Sequence, residues 1–452
     1  MITHFNSRRI GRESKGVLLF LLSLGLLCHS VYPQATNVAT TPDSEYYTKL
    51  KSLPGVAAVS PMRSGARGSG EVCDVAFEQP LDHQNPDGKK FQQHVFVSHA
   101  GYDKPVLLGT EGYGARGISG GELQAILRGN QVTVEHRFFG RSVPTPVQWE
   151  YLTVKQSADD LHAIRSALKT IYPGKWVSTG TSKGGQTALF YKCYYPDDVD
   201  ATVAYVAPVN VTQEDPRINH FIETVGDEAT RKRIKDFQIA MFKREDEMLP
   251  LVKAQADQRR WTFAMGLSEA YEYGVLEYPY AFWQYGADPA GIPAPDAPAE
   301  TLVAHYMNNR TGTLRYYSDQ GKKQFEPFLY QAFTEIGYYN YDITDSKSFM
   351  KTLKNPSNLV ICPDGAKIVY NPATMAFVYN FLQYKANHVA YIYGELDAWS
   401  ATQMQLIGRT DAIKIVVQDS HHGARIGAFS PEQKEQFFSS LERCLDLKLA
   451  RQ

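Results

Sequence analysis

Residues Trp176-Val177-Ser178-Thr179-Gly180-Thr181-Ser182-Lys183-Gly184-Gly185-Gln186-Thr187-Ala188 hold the strongest chemical signal in the chain. An apolar strand runs into Gly-x-Ser-x-Gly-Gly and on into a helix. That order puts a serine hydroxyl on a strained turn with backbone packed closely on both sides. Gly180 and Gly184 remove the side chains that would collide there, and Gly185 lets the helix approach the sheet. The helix N-terminus sets positive dipole beside Ser182, and the Lys183 amide is placed to donate to an oxyanion. A short Gly-x-Ser-x-Gly also arises in ordinary turns, so it is the strand–turn–helix setting that makes Ser182 a candidate nucleophile.

A serine needs a base, and the base needs an orienting acid. On a nucleophile of this kind the acid and then the histidine follow in chain order. The run His388-Val389-Ala390-Tyr391-Ile392-Tyr393 ends in Gly394-Glu395-Leu396-Asp397, and the next apolar run ends in Gln418-Asp419-Ser420-His421-His422-Gly423. Each group sits just past a predicted strand, at the edge where open α/β sheets gather ligand chemistry. Taken singly, Asp397 is an ordinary surface acid and His421 an ordinary loop histidine. The ordered set Ser182, Asp397 and His421 is much harder to obtain by chance.

Gly112-Tyr113-Gly114-Ala115-Arg116-Gly117 formally matches GxGxxG, with Glu135 beyond it, which invites a dinucleotide-binding reading. A lone GxGxxG is weak evidence. The preferred reading gives this loop, which follows an early strand, the second oxyanion amide near Tyr113.

Elements able to carry these loops are legible on either side. Residues 91–98, 106–108, 131–135, 176–178 and 201–206 read as strands, while Ala158, Leu161, Ile164, Leu168 and Ile171 fall at helical spacing. Alternation of short apolar strands with amphipathic helices predicts an α/β layered fold with a mainly parallel sheet. The pattern pauses after Asn210 in charged, helix-period sequence, then resumes with strands at 389–394 and 413–417 and a closing helix at 433–446. The expected organisation is a leader at 1–30, a lead-in at 31–70, core segments at 71–212 and 386–452, and a helical lid inserted at 213–385.

Composition narrows the task. With 43% hydrophobic and 21% charged residues among 452, a large apolar core can form. Lys+Arg 47 against Asp+Glu 48 leaves no basic excess to neutralise phosphates, which argues against nucleic-acid binding. The basic head Arg8, Arg9, Arg12 and Lys15 precedes the apolar run 17–28, the pattern of a secretory signal peptide and too short for a membrane span. Cleavage after Ser30 fits this reading, and lipidation of Cys28 is its weaker rival because Leu27 is large for that processing. An exported chain, periplasmic or secreted, is expected. There, Cys73, Cys193, Cys362 and Cys444 are candidates for two bridges, with three pairings open. No CxxC or HExxH occurs, so a zinc site has no support, and serine chemistry of this kind requires neither a metal nor an organic cofactor.

Taken together, Glu111–Gly114, Glu135–Ser142, the serine turn, Gln331–Tyr338, Gly394–Ser400 and Ser420–Arg425 resemble peptidase family S37. That family comprises the prolyl tri- and tetrapeptidyl aminopeptidases and is related to the S28 prolyl carboxypeptidase and dipeptidyl peptidase II group. The resemblance implies an α/β-hydrolase fold with a helical lid and a Ser-Asp-His triad. In the S28 relatives the first histidine after the small residue is the base, which implies His421, with a register on His422 left open. It also implies peptide substrates with a free amino terminus, cut after proline. An aromatic slot for the proline ring is expected on the segment 272–285, including Trp283. Counting residues from the amino end calls for a buried carboxylate facing the substrate's ammonium. Glu335 is the first candidate, followed by Glu272 and Glu277. The rival readings are a carboxylic ester hydrolase on the same fold and a non-catalytic surface binding protein.

Overall fold

The computed structural model describes residues 44–62, 71–118, 121–308 and 310–451. The expected leader and the cleavage site lie outside the described residues. Among the described residues nine strands form one sheet: β1 (Val56–Met62), β2 (Val72–Pro80), β3 (Lys90–Ser98), β4 (Val106–Thr110), β5 (Asn130–Val134), β6 (Trp176–Thr181), β7 (Ala201–Tyr205), β8 (Val389–Gly394) and β9 (Ala412–Val417). Their order is β1-β2-β3-β5-β4-β6-β7-β8-β9. Pairing is antiparallel from β1 through β3 to β5 and parallel from β5 through β4 to β9. This is the α/β-hydrolase arrangement with one additional edge strand.

Every residue of β4, β5, β7 and β8 is buried. That is the burial of parallel strands covered on both faces, and it explains why they read as continuous apolar runs rather than alternating ones. One face packs against the helix Val154–Lys169 through Leu161, Ile164 and Leu168. The other packs against Glu122–Leu127 and Pro431–Leu445 through Leu123, Phe437 and Leu441. The described part of the lead-in expected over 31–70 contains two elements, the helix Glu45–Lys51 and β1. In β1 only Val59 is buried and Pro61 interrupts the apolar text, so this edge strand leaves little periodic signal.

Between β7 and β8 the described elements are all helical. Their starts are set locally: Asp215, Asp227, Ser318 and Asn371 each accept a backbone N–H of their own first turn. The central lid helix, Leu267–Tyr285, is buried from Ala270 to Trp283 and stops at Gly286, whose φ of 62° forms a left-handed cap. Pro279 inside it cannot donate to the Val275 carbonyl; the Gln238 side-chain amide does so instead, at 2.8 Å.

Among the described residues Cys73, Cys193, Cys362 and Cys444 are free thiols, so the two expected bridges are corrected. Cys73 packs on one side of the sheet and Cys444 at the periphery of the other, while Cys193 and Cys362 belong to the cluster that runs into the lid.

Candidate active site

Ser182 stands between β6 and the helix Lys183–Tyr194, at φ 58° and ψ −125°. Few side chains tolerate that region, and the turn is held by the Ser182 N–H on the Tyr205 carbonyl at 2.8 Å. A Cβ on Gly180 would lie 2.3 Å from the Gly184 carbonyl, so the crossing of strand and helix requires glycine there. The loop after β4 meets the same turn. A Cβ on Gly112 would fall 2.6 Å from backbone atoms of Lys183 and Gly184. Tyr113 therefore follows directly on a segment pressed against the turn, while the Lys183 N–H, first of its helix, has no acceptor within the helix.

Asp397 is fully buried and caps the short helix Ala398–Thr402, accepting the Trp399 N–H at 3.2 Å. Its other oxygen takes the Nδ1 hydrogen of His422 at 2.7 Å. The preference for His421 is thereby corrected: the carboxylate's imidazole is the second of the pair. His421 turns toward the lid, its ring against Gly286 and its Nδ1 accepting the Gly423 N–H at 3.2 Å. Burial pushes the His421 imidazole below its ordinary pKa. His422 is tied to the lid through its own N–H, which donates to the Gln284 carbonyl at 3.0 Å. With Nδ1–H committed to Asp397, the free nitrogen of His422 is Nε2, an acceptor. Ser182, Asp397 and His422 thus occupy loops at the C-terminal ends of β6, β8 and β9.

A cavity opens beside Ser182, bounded by Tyr113 and Lys183 from the core, by Glu277, Gln284 and Tyr285 from the central lid helix, and by Trp399 next to Asp397. Much of its wall is aromatic. Tyr113 meets Phe328 edge-on at 5.6 Å, Phe328 meets Tyr338 at 5.7 Å, and Tyr338 meets Trp399 at 5.3 Å. The sequence reading assigned these rings no role, apart from Tyr113; Tyr338 and Trp399 nevertheless fall within two of the motif stretches that carry the family resemblance.

The three acids expected to meet an ammonium separate in the structure. Glu335, the first choice, accepts the Val154 N–H at 2.6 Å and the Thr374 hydroxyl at 3.0 Å. It pins a lid segment to the start of a core helix, and burial raises its carboxyl. Glu272 is fully buried and accepts the backbone N–H groups of Lys351, Thr352 and Leu353. Both are structural, and neither lines the cavity. Glu277 does line it, accepting the hydroxyls of Tyr339 and, at 2.8 Å, Tyr341. Burial pushes its carboxyl up to about 7 against the opposing pull of those hydroxyls. Trp283 is also corrected: it lines a different hollow, with Ile222, Leu276 and Tyr280, and packs over Gly226.

Glu135 is engaged by the N–H groups of Ala115, Arg141 and Ser142 and by the Ser142 hydroxyl. It braces the Gly-rich loop from within and offers nothing to a ribose. Among the described residues one grouping has metal-ligand types, His388, Asp411 and Cys444. It lies at the opposite ends of β8 and β9, and the Arg443 guanidinium occupies Asp411 at 2.5 Å.

A family model described as PS-10 peptidase S37 matches residues 44–448. The chain is similar to the prolyl tri/tetrapeptidyl aminopeptidase of Streptomyces mobaraensis, with 31% identity over 408 residues, 87% of this chain and 84% of that protein. A putative serine protease of Caenorhabditis elegans, K12H4.7, is 25% identical over 332 residues, 67% of this chain and 62% of its own length. Among solved structures, the proline iminopeptidase of Mycobacterium smegmatis aligns over 82% of this chain and 97% of its own, with 13% identity and a TM-score of 0.37.

Proposed function

The chain belongs to peptidase family S37, and on that footing we propose that it is an exported serine aminopeptidase that releases tripeptides or tetrapeptides from free amino termini, cutting after proline. The observation that carries the chemistry is the Asp397–His422 hydrogen bond at the same sheet edge as the strained Ser182 turn. Ser182 Oγ attacks the scissile carbonyl, and His422 Nε2 takes its proton. Asp397 holds the tautomer and stabilises the imidazolium. The tetrahedral oxyanion is received by the amides of Lys183 and Tyr113. His422 then passes the proton to the leaving amine, and water, activated by the same imidazole, releases the peptide from the acyl-serine. No step calls for a metal or an organic cofactor.

Two features of the cavity support the exopeptidase reading. Glu277 presents a carboxylate in an apolar setting, where an ammonium is the partner that relieves it. The rings of Tyr113, Phe328 and Tyr338 suit a flat, rigid proline side chain. Export rests on the basic head and apolar run that precede residue 30. Digestion of a mixed peptide pool, with the fragments read by mass, tests the proposal. Tripeptides or tetrapeptides ending in proline are expected. Internal cleavage, or turnover of short acyl esters with the peptides left intact, would refute it.

A further inference from the structure

Lys183 has a side chain that the proposed mechanism does not use. Its amide is assigned to the oxyanion, but the amine is carried inward and only 2% of the residue is exposed. Among the described residues no carboxylate lies within ion-pair distance of it. Its polar partner is His136 Nε2, 3.3 Å away, and the Phe139 ring lies 5.6 Å from Nζ. The imidazole is oriented from its other side, where Nδ1–H donates to the Arg137 carbonyl at 2.8 Å. Nε2 is therefore an acceptor and Lys183 the donor. The His136 backbone N–H in turn holds the Tyr113 carbonyl at 3.1 Å. A chain of contacts thus runs from the residue after the nucleophile, through His136, to the loop assigned the second oxyanion amide.

We propose that the Lys183 side chain is a positioning residue for the oxyanion site: as an ammonium braced on His136, it fixes the Gly112–Tyr113 loop and adds positive potential beneath the developing negative charge. The inference rests on Ser182 being the nucleophile, as proposed above. The charged and titratable neighbours are few. His136 is driven well below its ordinary pKa by burial and by the adjoining Lys183 charge. The Arg137 guanidinium is turned away onto Asp160, at 2.7 Å and 2.8 Å. Tyr113 is held above its usual range by burial. Desolvation alone pulls the Lys183 amine down to about 7. Its charge, and with it the support for the oxyanion, is present below that pH and lost above it.

A fluorophosphonate probe reads this directly, because its phosphoryl oxygen occupies the oxyanion position and no peptide specificity is involved. The second-order labelling rate of the intact protein is expected to fall as pH passes from about 6 to about 8, across the range in which the Lys183 amine loses its charge. Lys183→Met, checked for an unchanged melting profile, should label roughly ten- to a hundredfold more slowly near pH 6.5, less than the loss of a direct oxyanion donor. The variant should also lack the alkaline fall, whereas a merely structural loss would leave it in place. A wild-type rate that stays flat to pH 9 overturns the proposal and needs no variant. So does a Lys183→Met protein that labels at the wild-type rate or keeps the alkaline fall. Labelling that persists in Ser182→Ala would remove the nucleophile itself and overturn both readings.

Discussion

Replacing Glu277 by glutamine removes a charge while keeping the shape of the side chain, and the structure sets what should follow. The carboxylate is 7% exposed, receives the hydroxyls of Tyr339 and Tyr341, and faces the cavity that holds Ser182. A hydrogen bond to a charged group contributes about 1.5–3 kcal/mol, or roughly ten- to a hundredfold in kcat/KM. The assay compares kcat/KM for an Ala-Ala-Pro amide bearing a free or an acetylated amino terminus, with wild type and Glu277→Gln, at pH 6 and pH 8. Burial lifts the Glu277 carboxyl to about 7, so it is largely ionised at pH 8 and largely protonated at pH 6. Because kcat/KM reports the free enzyme, wild type should prefer the free terminus by that factor at pH 8 and lose much of the preference at pH 6. The variant should show little preference at either pH. Stability should move the other way. A carboxyl raised on folding contributes full stability below its unfolded pKa and loses it as pH climbs from about 4.5 to 7, at a cost of about 3 kcal/mol. The glutamine protein should then equal or exceed wild type in denaturant midpoint at pH 8, with no such advantage near pH 4. A variant that keeps the full free-terminus preference at pH 8 would refute the assignment, since the ammonium must then be met elsewhere.

Glu335→Ala should destabilise the fold by about 2–3 kcal/mol, because the buried Val154 N–H and the Thr374 hydroxyl lose their acceptor. Denaturant titration measures this, and the discrimination between free and blocked termini should be unchanged. Gly112→Ala should lower kcat at least a hundredfold with a smaller change in KM, since its Cβ would fall 2.6 Å from the backbone after Ser182 and push the oxyanion loop away. Steady-state kinetics on the same amide would show it.

The serine turn was legible because its requirements are local: a strand, three glycines and a helix within a dozen residues. The parallel strands were legible too, since burial on both faces leaves an unbroken apolar run. The histidine register was not. His421 and His422 are adjacent imidazoles, and the choice between them depends on Gln284 and Gly286 in the distant lid. The acids failed for a related reason. What makes Glu335 and Glu272 structural is backbone at Val154 and at Lys351–Leu353, far away in sequence. Trp283 was misplaced because the central lid helix is buried all round, and its apolar text marks no face. Glu277, Ala281 and Gln284 share the cavity face at intervals of four and three residues; Trp283, six beyond Glu277, lies about 240° around the helix.

The central claim is that Ser182 is activated by His422 backed by Asp397, and parallel fluorophosphonate labelling of His421→Ala and His422→Ala at pH 7.5 tests it most directly. His421→Ala should label within about threefold of wild type, because that ring touches the lid and not the acid. His422→Ala should fall by about a thousandfold or more, as expected when a serine loses its base. The reverse order of the two rates, or equal and undiminished labelling of both, would contradict the account.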